Sequence, residues 1–467
     1  MRLCHSDSLA ESPAAKPGAS PILMKLVTLL AVFLLATLPA TAQQFVNGQA
    51  ADVVLGQSDF TSTSTADQPN RFASPASVAM DPTTGKVFVG DSGHHRILRY
   101  SSMAAATSGS NPEAVFGQPN FNSYSENQGG AAGAKTLSYF YQIMVDHLGR
   151  LWVADSDNNR VLCWFAASTL GNNPPANLVF GQPDIFTVTY GTTASKMDYP
   201  VGIWVDSSDT LWVAEDGNSR VLRFDNISTK SNGDDADGVL GQVDFMSSGS
   251  GTTVTEMAAP YSVSVDASGR LWVADTGNHR VLRFDAAATK ADGAAADGVL
   301  GQPDFDSNTA GLTAATMSGP YGVLALGGTV WVCDFGNDRV LGFPNAAALP
   351  NGAPATIVLG QPDLVSIDPT PSDRILHRPF NLSPGPAGSL FVASYGSNRI
   401  VRFTPLPSST ADAGAAAANA ALKAHLLSKA RKLKKKAKKA KKRAGKKAKA
   451  KKLTKKAKKL IKRANAL

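Results

Sequence analysis

The sequence predicts an all-β fold, a ring of six four-stranded blades, on three observations. The segment Val-Leu-Gly-Gln-Pro-Asp-Phe returns six times, with its glutamine at Gln57, Gln118, Gln182, Gln242, Gln302 and Gln361, spaced 61, 64, 60, 60 and 59 residues. A second signature, clearest as Leu271-Trp-Val-Ala-Asp-Thr-Gly-Asn-His-Arg-Val-Leu-Arg-Phe284, shares the period. Its arginines are Arg96, Arg160, Arg220, Arg280, Arg339 and Arg399. Between the signatures, short alternating runs are broken by Gly, Asn, Asp and Pro, the pattern of strands and tight turns. A fixed period marks a repeat architecture, and one four-stranded sheet per repeat, six times over, is a β-propeller.

The fourth repeat shows the elements in order. Tyr261 to Asp266 alternates apolar and polar residues. Leu271 to Ala274 follows the Ser268-Gly269 turn, and Arg280 to Phe284 follows the Asp275-Thr-Gly-Asn turn. Val299-Leu300 then enters the Gly-Gln segment. No strongly periodic helix lies between Gln43 and Pro405. The order of pieces also predicts the closure. Val54 to Phe60 precedes every other strand group, and Phe380 to Phe403 has no fourth strand after it. The N-terminal segment is therefore expected to supply the outer strand of the sixth blade, which removes two exposed sheet edges.

The run DTGNHRVLRF, preceded by a strand and LWVA, resembles the NHL repeat, the unit of six-bladed propellers. The resemblance covers about residues 45 to 404 and holds in six copies. It implies the fold and leaves the role open, because function lives in the site and not in the fold. Lyases of this kind hold zinc with histidines from several blades. Here the histidines after residue 42 are His94, His95, His147, His279, His377 and His425; no three-histidine set aligns, and His94, His279 and His377 are the candidates left for such a role.

The repeated acidic turn position holds Asp91, Asp155, Glu215, Asp275, Asp334 and Ser394. It reads as structural, accepting turn N–H bonds and pairing with the arginine. Catalysis needs one asymmetric site and not six copies. Asp81, Asp146, Asp206 and Asp266 end the inner strands, with Leu326 and Gly385 in the other repeats. A carboxylate ring near the axis could hold a cation through oxygen; the competing reading is a turn residue. No cofactor is expected, and calcium or zinc are the metals to consider. Trp152, Trp212, Trp272 and Trp331, with Phe88 and Phe391, read as inter-blade core. There is no GxSxG, HExxH or Gly-rich phosphate loop.

The loops after the Gly-Gln segments vary most and are expected on the face of the Asp-x-Gly-Asn turns. Variable loops on a rigid frame are where binding is placed. The ligand-face candidates are Tyr139, Tyr199, Tyr261 and Tyr321, with His94 and His279. Tyrosine joins an apolar body to a polar tip. The competing reading is plain solvated connection. His95 and His279 share a turn position with Asn159, Ser219, Asp338 and Asn398, a variability that suits an exposed turn.

The 467-residue chain is 43% apolar and 18% charged, which excludes a wholly disordered chain. Its charge is unevenly placed. Residues 1–420 hold 23 basic and 37 acidic residues, whereas 421–467 hold 23 basic and no acidic ones. Residues 1–42 read as a signal peptide, with Met24 as a possible start. Its apolar run, Leu26 to Leu38, is 13 residues long, short of the roughly 20 a membrane span needs. No transmembrane helix is expected after cleavage, and the protein is expected to be exported: periplasmic, cell-surface or extracellular. Cys163 and Cys333 fall in different repeats and are expected as free thiols.

The propeller is expected over 43–404 and a linker over 405–421. The Lys/Ala-rich tail, 422–467, resembles linker-histone tails in composition. It is expected to be mostly disordered alone and helical on a polyanion. Its candidate contacts are Lys434, Lys435, Lys436, Lys438, Lys439, Lys441, Lys442 and Arg443. Anionic envelope polymers or lipid headgroups are the expected partners, with salt-dependent binding. The functional expectation is a monomeric binding or scaffold propeller whose loop face engages a ligand or protein. The alternative is a metal-dependent lyase or hydrolase with an axial site.

Overall fold

The computed structural model describes residues 43–65, 68–107, 111–407, 432–435, 454–456 and 458. One compact unit runs from Phe45 to Leu406. A second comprises residues 1–44 and 407–467; the signal segment lies outside the described residues. Residues 432–435 are helical, with Lys434 and Lys435 exposed. The tail candidates Lys436, Lys438, Lys439, Lys441, Lys442 and Arg443 also lie outside the described residues. No helix among the described residues is long and apolar enough to cross a membrane.

The first unit is a six-bladed propeller of four-stranded antiparallel sheets. Blade 4 is typical: Pro260–Val265, Leu271–Asp275, Arg280–Phe284 and Gly298–Leu300, from the axis outward. Val, Leu, Trp and Phe dominate these strands, residues that suit a pleated surface buried on both sides. Blade 6 takes three strands from the C-terminal side, Pro379–Pro384, Leu390–Ser394 and Arg399–Phe403. Its outermost strand is Val53–Leu55, with Val53 opposite Arg402 and Leu55 opposite Ile400. The ring therefore closes as the order of segments predicts. Polar clasps add to the seam: Gln49 Nε2 donates to the Thr404 carbonyl at 2.7 Å, and Asn47 Oδ1 accepts from Val358 N–H at 2.9 Å.

The core lies between blades. One cluster joins Trp152 and Phe180 of blade 2 to Ile203, Val213 and Phe224 of blade 3. Each such buried side chain contributes about 1.5–3 kcal/mol of transfer free energy. Cys163 and Cys333 are buried free thiols, and burial pushes both pKa values up.

The Gly-Gln pair has a mechanical role in all six copies. Gly56, Gly117, Gly181, Gly241, Gly301 and Gly360 have φ between 81° and 85°, a region that favours glycine. A Cβ at Gly181 would lie 2.6 Å from the Met197 side chain. The following glutamine amide donates to two carbonyls, one on the neighbouring turn and one seven residues on. Gln302 Nε2, for instance, reaches the His279 and Thr309 carbonyls at 3.1 and 3.0 Å.

The inner strands expose their edges to the axis. Side chains of the preceding blade cover several of these N–H groups. Ser77 Oγ accepts from Ile143 N–H at 2.8 Å, Gln142 Oε1 from Ile203 N–H at 3.0 Å, and Ser262 Oγ from Val323 N–H at 3.3 Å.

Candidate functional site

The repeated acid–arginine pairs sit at the blade corners, fully buried. Arg96, Arg160, Arg220, Arg280 and Arg339 donate Nε to Asp91, Asp155, Glu215, Asp275 and Asp334 at 2.5–2.8 Å. Their remaining donors bond loop carbonyls; Arg280 reaches those of Thr252, Thr253 and Glu256 at 2.8–3.2 Å, and Phe305. The acid also accepts the N–H of the incoming loop, as Asp275 does from Ala258 at 2.7 Å. The network pins the loops and turns of one face together and has no open coordination position.

His94 belongs to this network. It is 4% exposed, with Nδ1 2.8 Å from Asp91 Oδ2. It occupies the place where Asn158, Asn218, Asn278 and Asn337 donate to their acids at 2.8–2.9 Å. It is a corner residue and does not stand on the ligand face. His279 is likewise structural. Its φ is 54°, and Nδ1 accepts the Gly319 N–H at 2.9 Å. Desolvation lowers its pKa, consistent with a neutral acceptor. The variable turn position is therefore an inter-blade latch in five of the six copies, whereas His95 Nδ1 is buried without a partner among the described residues. Asn159, Asp338 and Asn398 make the same bond to Tyr199, Arg378 and Ser74 N–H at 2.7–2.9 Å.

The tyrosine candidates converge on the axis at this face. Tyr261 and Tyr321 stack at 4.4 Å, and Tyr321 stacks on Phe335 at 4.2 Å. Tyr139 and Tyr395 hydroxyls are 2.8 Å apart, and those of Tyr141 and Tyr199 are 2.9 Å apart. Phe380, 5% exposed, fills the centre; Tyr141, Tyr261, Tyr321, Phe335 and Tyr395 surround it at 5.2–6.4 Å. Burial raises the pKa of Tyr139, Tyr141, Tyr199, Tyr261 and Tyr321. These hydroxyls therefore stay protonated, suited to hydrogen bonding and not to acting as phenolate bases.

The patch breaks the sixfold repeat. The first turn residue in three blades is Ser92, Ser156 or Thr276, whose hydroxyl donates to the next blade's Phe140, Pro200 or Pro320 carbonyl at 2.5–2.6 Å. Blades 3, 5 and 6 have Asp216, Phe335 and Tyr395 there. Three carboxylates around this end have raised pKa values. Asp157 is raised by desolvation and by Glu126 and Asp155, Asp198 by desolvation, and Asp216 by desolvation and by Asp198. Phe335, Phe380, Tyr395 and Asp216 were not among the sequence candidates. Comparing the six copies at the residue after the turn acid would have revealed three of them.

The inner-strand aspartates lie at the opposite end of the axis, each engaged in its own hairpin. Asp146 accepts from Leu148 and Arg150 N–H, from Arg150 Nε at 2.5 Å and from Trp152 Nε1 at 2.8 Å. Asp206 and Asp266 accept from Trp212 and Trp272 Nε1 at 3.2 and 3.3 Å. Asp81 serves Thr83, Thr84 and Ser168, and these bonds hold its pKa down at about 2 against the desolvation that raises it. The carboxylates are turn staples and tryptophan anchors, and no group of three His, Cys, Asp or Glu among the described residues could hold a metal. Asp146, Asp206 and Asp266 also border an axial cavity of about 560 Å³.

Residues 72–100 and 259–284 match the NHL repeat family. The chain carries NHL repeats. No curated protein matches the sequence closely enough to count as a relative. Among solved structures, it is similar to a streptogramin B lyase at 13% identity, over 76% of this chain and 87% of that one, with a TM-score of 0.41. A virginiamycin B lyase from Staphylococcus aureus gives 12% identity over 74% and 85%, with a TM-score of 0.42. The WD40 propeller domain of Doa1 gives 11% identity over 78% and 96%, with a TM-score of 0.44.

Proposed function

We propose that this protein is a non-catalytic binding propeller whose loop face engages a protein. The observation that carries the reading is the largely buried aromatic patch on the axis, whose rim residues are partly exposed, together with loops that expose large apolar residues. Phe186, Tyr190, Val243, Met246 and Val365 on those loops are 61–74% exposed. Apolar loop residues exposed beside an aromatic patch on a rigid frame suit an interaction surface, and aromatic and Met residues are enriched in interfaces. The repeated polar groups of this face are already committed to holding its loops. The desolvated carboxylates Asp157, Asp198 and Asp216 favour a partner that brings a cationic group beside an apolar one.

The test compares the full chain with a variant carrying Phe186→Glu, Met246→Glu and Val365→Glu. Both are immobilised and matched for folding by circular dichroism. A component retained by the parent and lost from the variant supports the reading. Identical retention overturns it.

The tail is proposed to hold the protein on anionic envelope polymers or lipid headgroups after export. Its 23 basic residues without an acidic one carry that reading. Removing residues 405–467 is expected to abolish low-salt retention on an anionic polymer, because charge neutralisation dominates such binding. Unchanged retention overturns it.

A further inference from the structure

The axial cavity is separate from the loop face. It lies at the far ends of the inner strands, and the Phe380 cluster fills the axis at the other end. Its volume, about 560 Å³, falls within the range of small-molecule sites. Val78, Met80, Met144, Trp204 and Leu382 line it. Methionine is adaptable and polarisable, and sulfur packs favourably on aromatic rings. The wall is asymmetric: Trp204 stands where the other inner strands have Ala79, Met144, Ser264, Leu324 and Ser383. Single-copy features of this kind suit a specific ligand better than a repeated frame does.

The mouth has a definite charge. Arg150 is shared between Asp146 and Asp209, and Arg270 between Asp266 and Asp285. Asp206 is paired with no cation among the described ion pairs. Arg283 also pairs with Asp285, so five carboxylates face three arginines. Asp146, Asp206 and Asp266 line the cavity itself, together with His147, and low-dielectric walls focus the resulting negative field. The carboxylates already accept hydrogen bonds from their turns, so they act on a ligand chiefly as counter-charges.

We propose that this cavity binds a small aromatic amine, its ring against Met80, Met144 and Trp204 and its ammonium at the acidic mouth. The test uses the full chain with two probes that share one ring system, cationic dansylcadaverine and neutral dansylamide. Fluorescence titration is expected to give one dansylcadaverine per chain, bound at least tenfold more tightly than dansylamide. Trp204→Ala and Met80→Lys are each expected to weaken dansylcadaverine at least tenfold, and Met80→Glu to retain or tighten it. Thermal unfolding confirms that each variant is folded. The methionine pair leaves every turn carboxylate untouched, so a misfolded Trp204 variant does not blunt the test. Equal affinity for the two probes overturns the charge selection. Binding indifferent to Met80→Lys, or no saturable binding, overturns the site.

Discussion

Blade 4 and blade 6 share a strand plan but differ at the buried corner. In blade 4, Arg280 and Asp275 form a fully buried pair, and Asn278 and Ala258 N–H complete the carboxylate's bonds. In blade 6 Ser394 stands in place of the acid and exchanges hydrogen bonds with the His377 backbone instead. Arg399 keeps its carbonyl partners, Ser372 and Ile375 at 3.0 and 2.9 Å, and Phe60. Its buried Nε has no partner. Desolvation without a contacting carboxylate lowers the Arg399 pKa to about 10. The difference teaches that the arginine's work is to hold loop carbonyls, while the acid compensates the buried charge. Blade 6 keeps the first function and lacks the second.

Exchanging the two residues tests this most severely. Asp275→Ser strands Arg280, and is expected to cost about 3–5 kcal/mol, the scale for breaking a buried ion pair. Urea unfolding midpoints check it. A loss below about 1 kcal/mol would mean that the carbonyls alone satisfy the arginine. Ser394→Asp is expected to stabilise by about 1–3 kcal/mol, the scale of a charge-assisted hydrogen bond.

That gain should depend on pH in a defined direction. A base with a lowered folded pKa destabilises fully below that pKa, and the penalty is relieved as pH rises through it. The advantage of Ser394→Asp over the parent is therefore expected to be largest below about pH 10 and to shrink above it. A difference independent of pH up to 11 would place the gain elsewhere.

A control asks where the blades are alike. Gly241 of blade 3 and Gly301 of blade 4 both have φ of 85° in the same turn, and a Cβ at either would lie 2.9 Å from a methionine side chain, Met257 or Met317. Alanine at either is expected to cost about 1–3 kcal/mol from backbone strain, and by similar amounts in the two blades. The smallest effect is expected at the aromatic end. The raised pKa of Asp216 means that the folded state takes up its proton more readily than the unfolded chain. Its destabilisation is thus relieved as pH falls through the folded value. Asp216→Asn is expected to raise the melting temperature at pH 7 and to have no effect in acid, where the carboxyl is already neutral.

Much of the frame was legible in the chain. The period gave blade number, and the missing fourth strand after Phe403 gave the closure by Val53–Leu55. Arginine and acid five residues apart read as a turn pair, which they are. The candidate site was legible only in part. Tyr139, Tyr199, Tyr261 and Tyr321 were visible as tyrosines on one face, but their convergence on Phe380 was not. His94 and His279 looked like face residues because turns are usually exposed. Close packing of six blades instead turns those positions into buried corners and inter-blade acceptors.

The sequence by itself determined the repeat, the strand pattern and the residues that hold each turn, because these depend on neighbours within about 60 residues. The tertiary structure alone decided what meets on the axis. Ring closure brings five residues from four blades within stacking distance of one phenylalanine, and leaves an acid-rimmed cavity at the other end. No local pattern encodes that meeting, since it depends on the small departures from repetition that six inner strands present to one another.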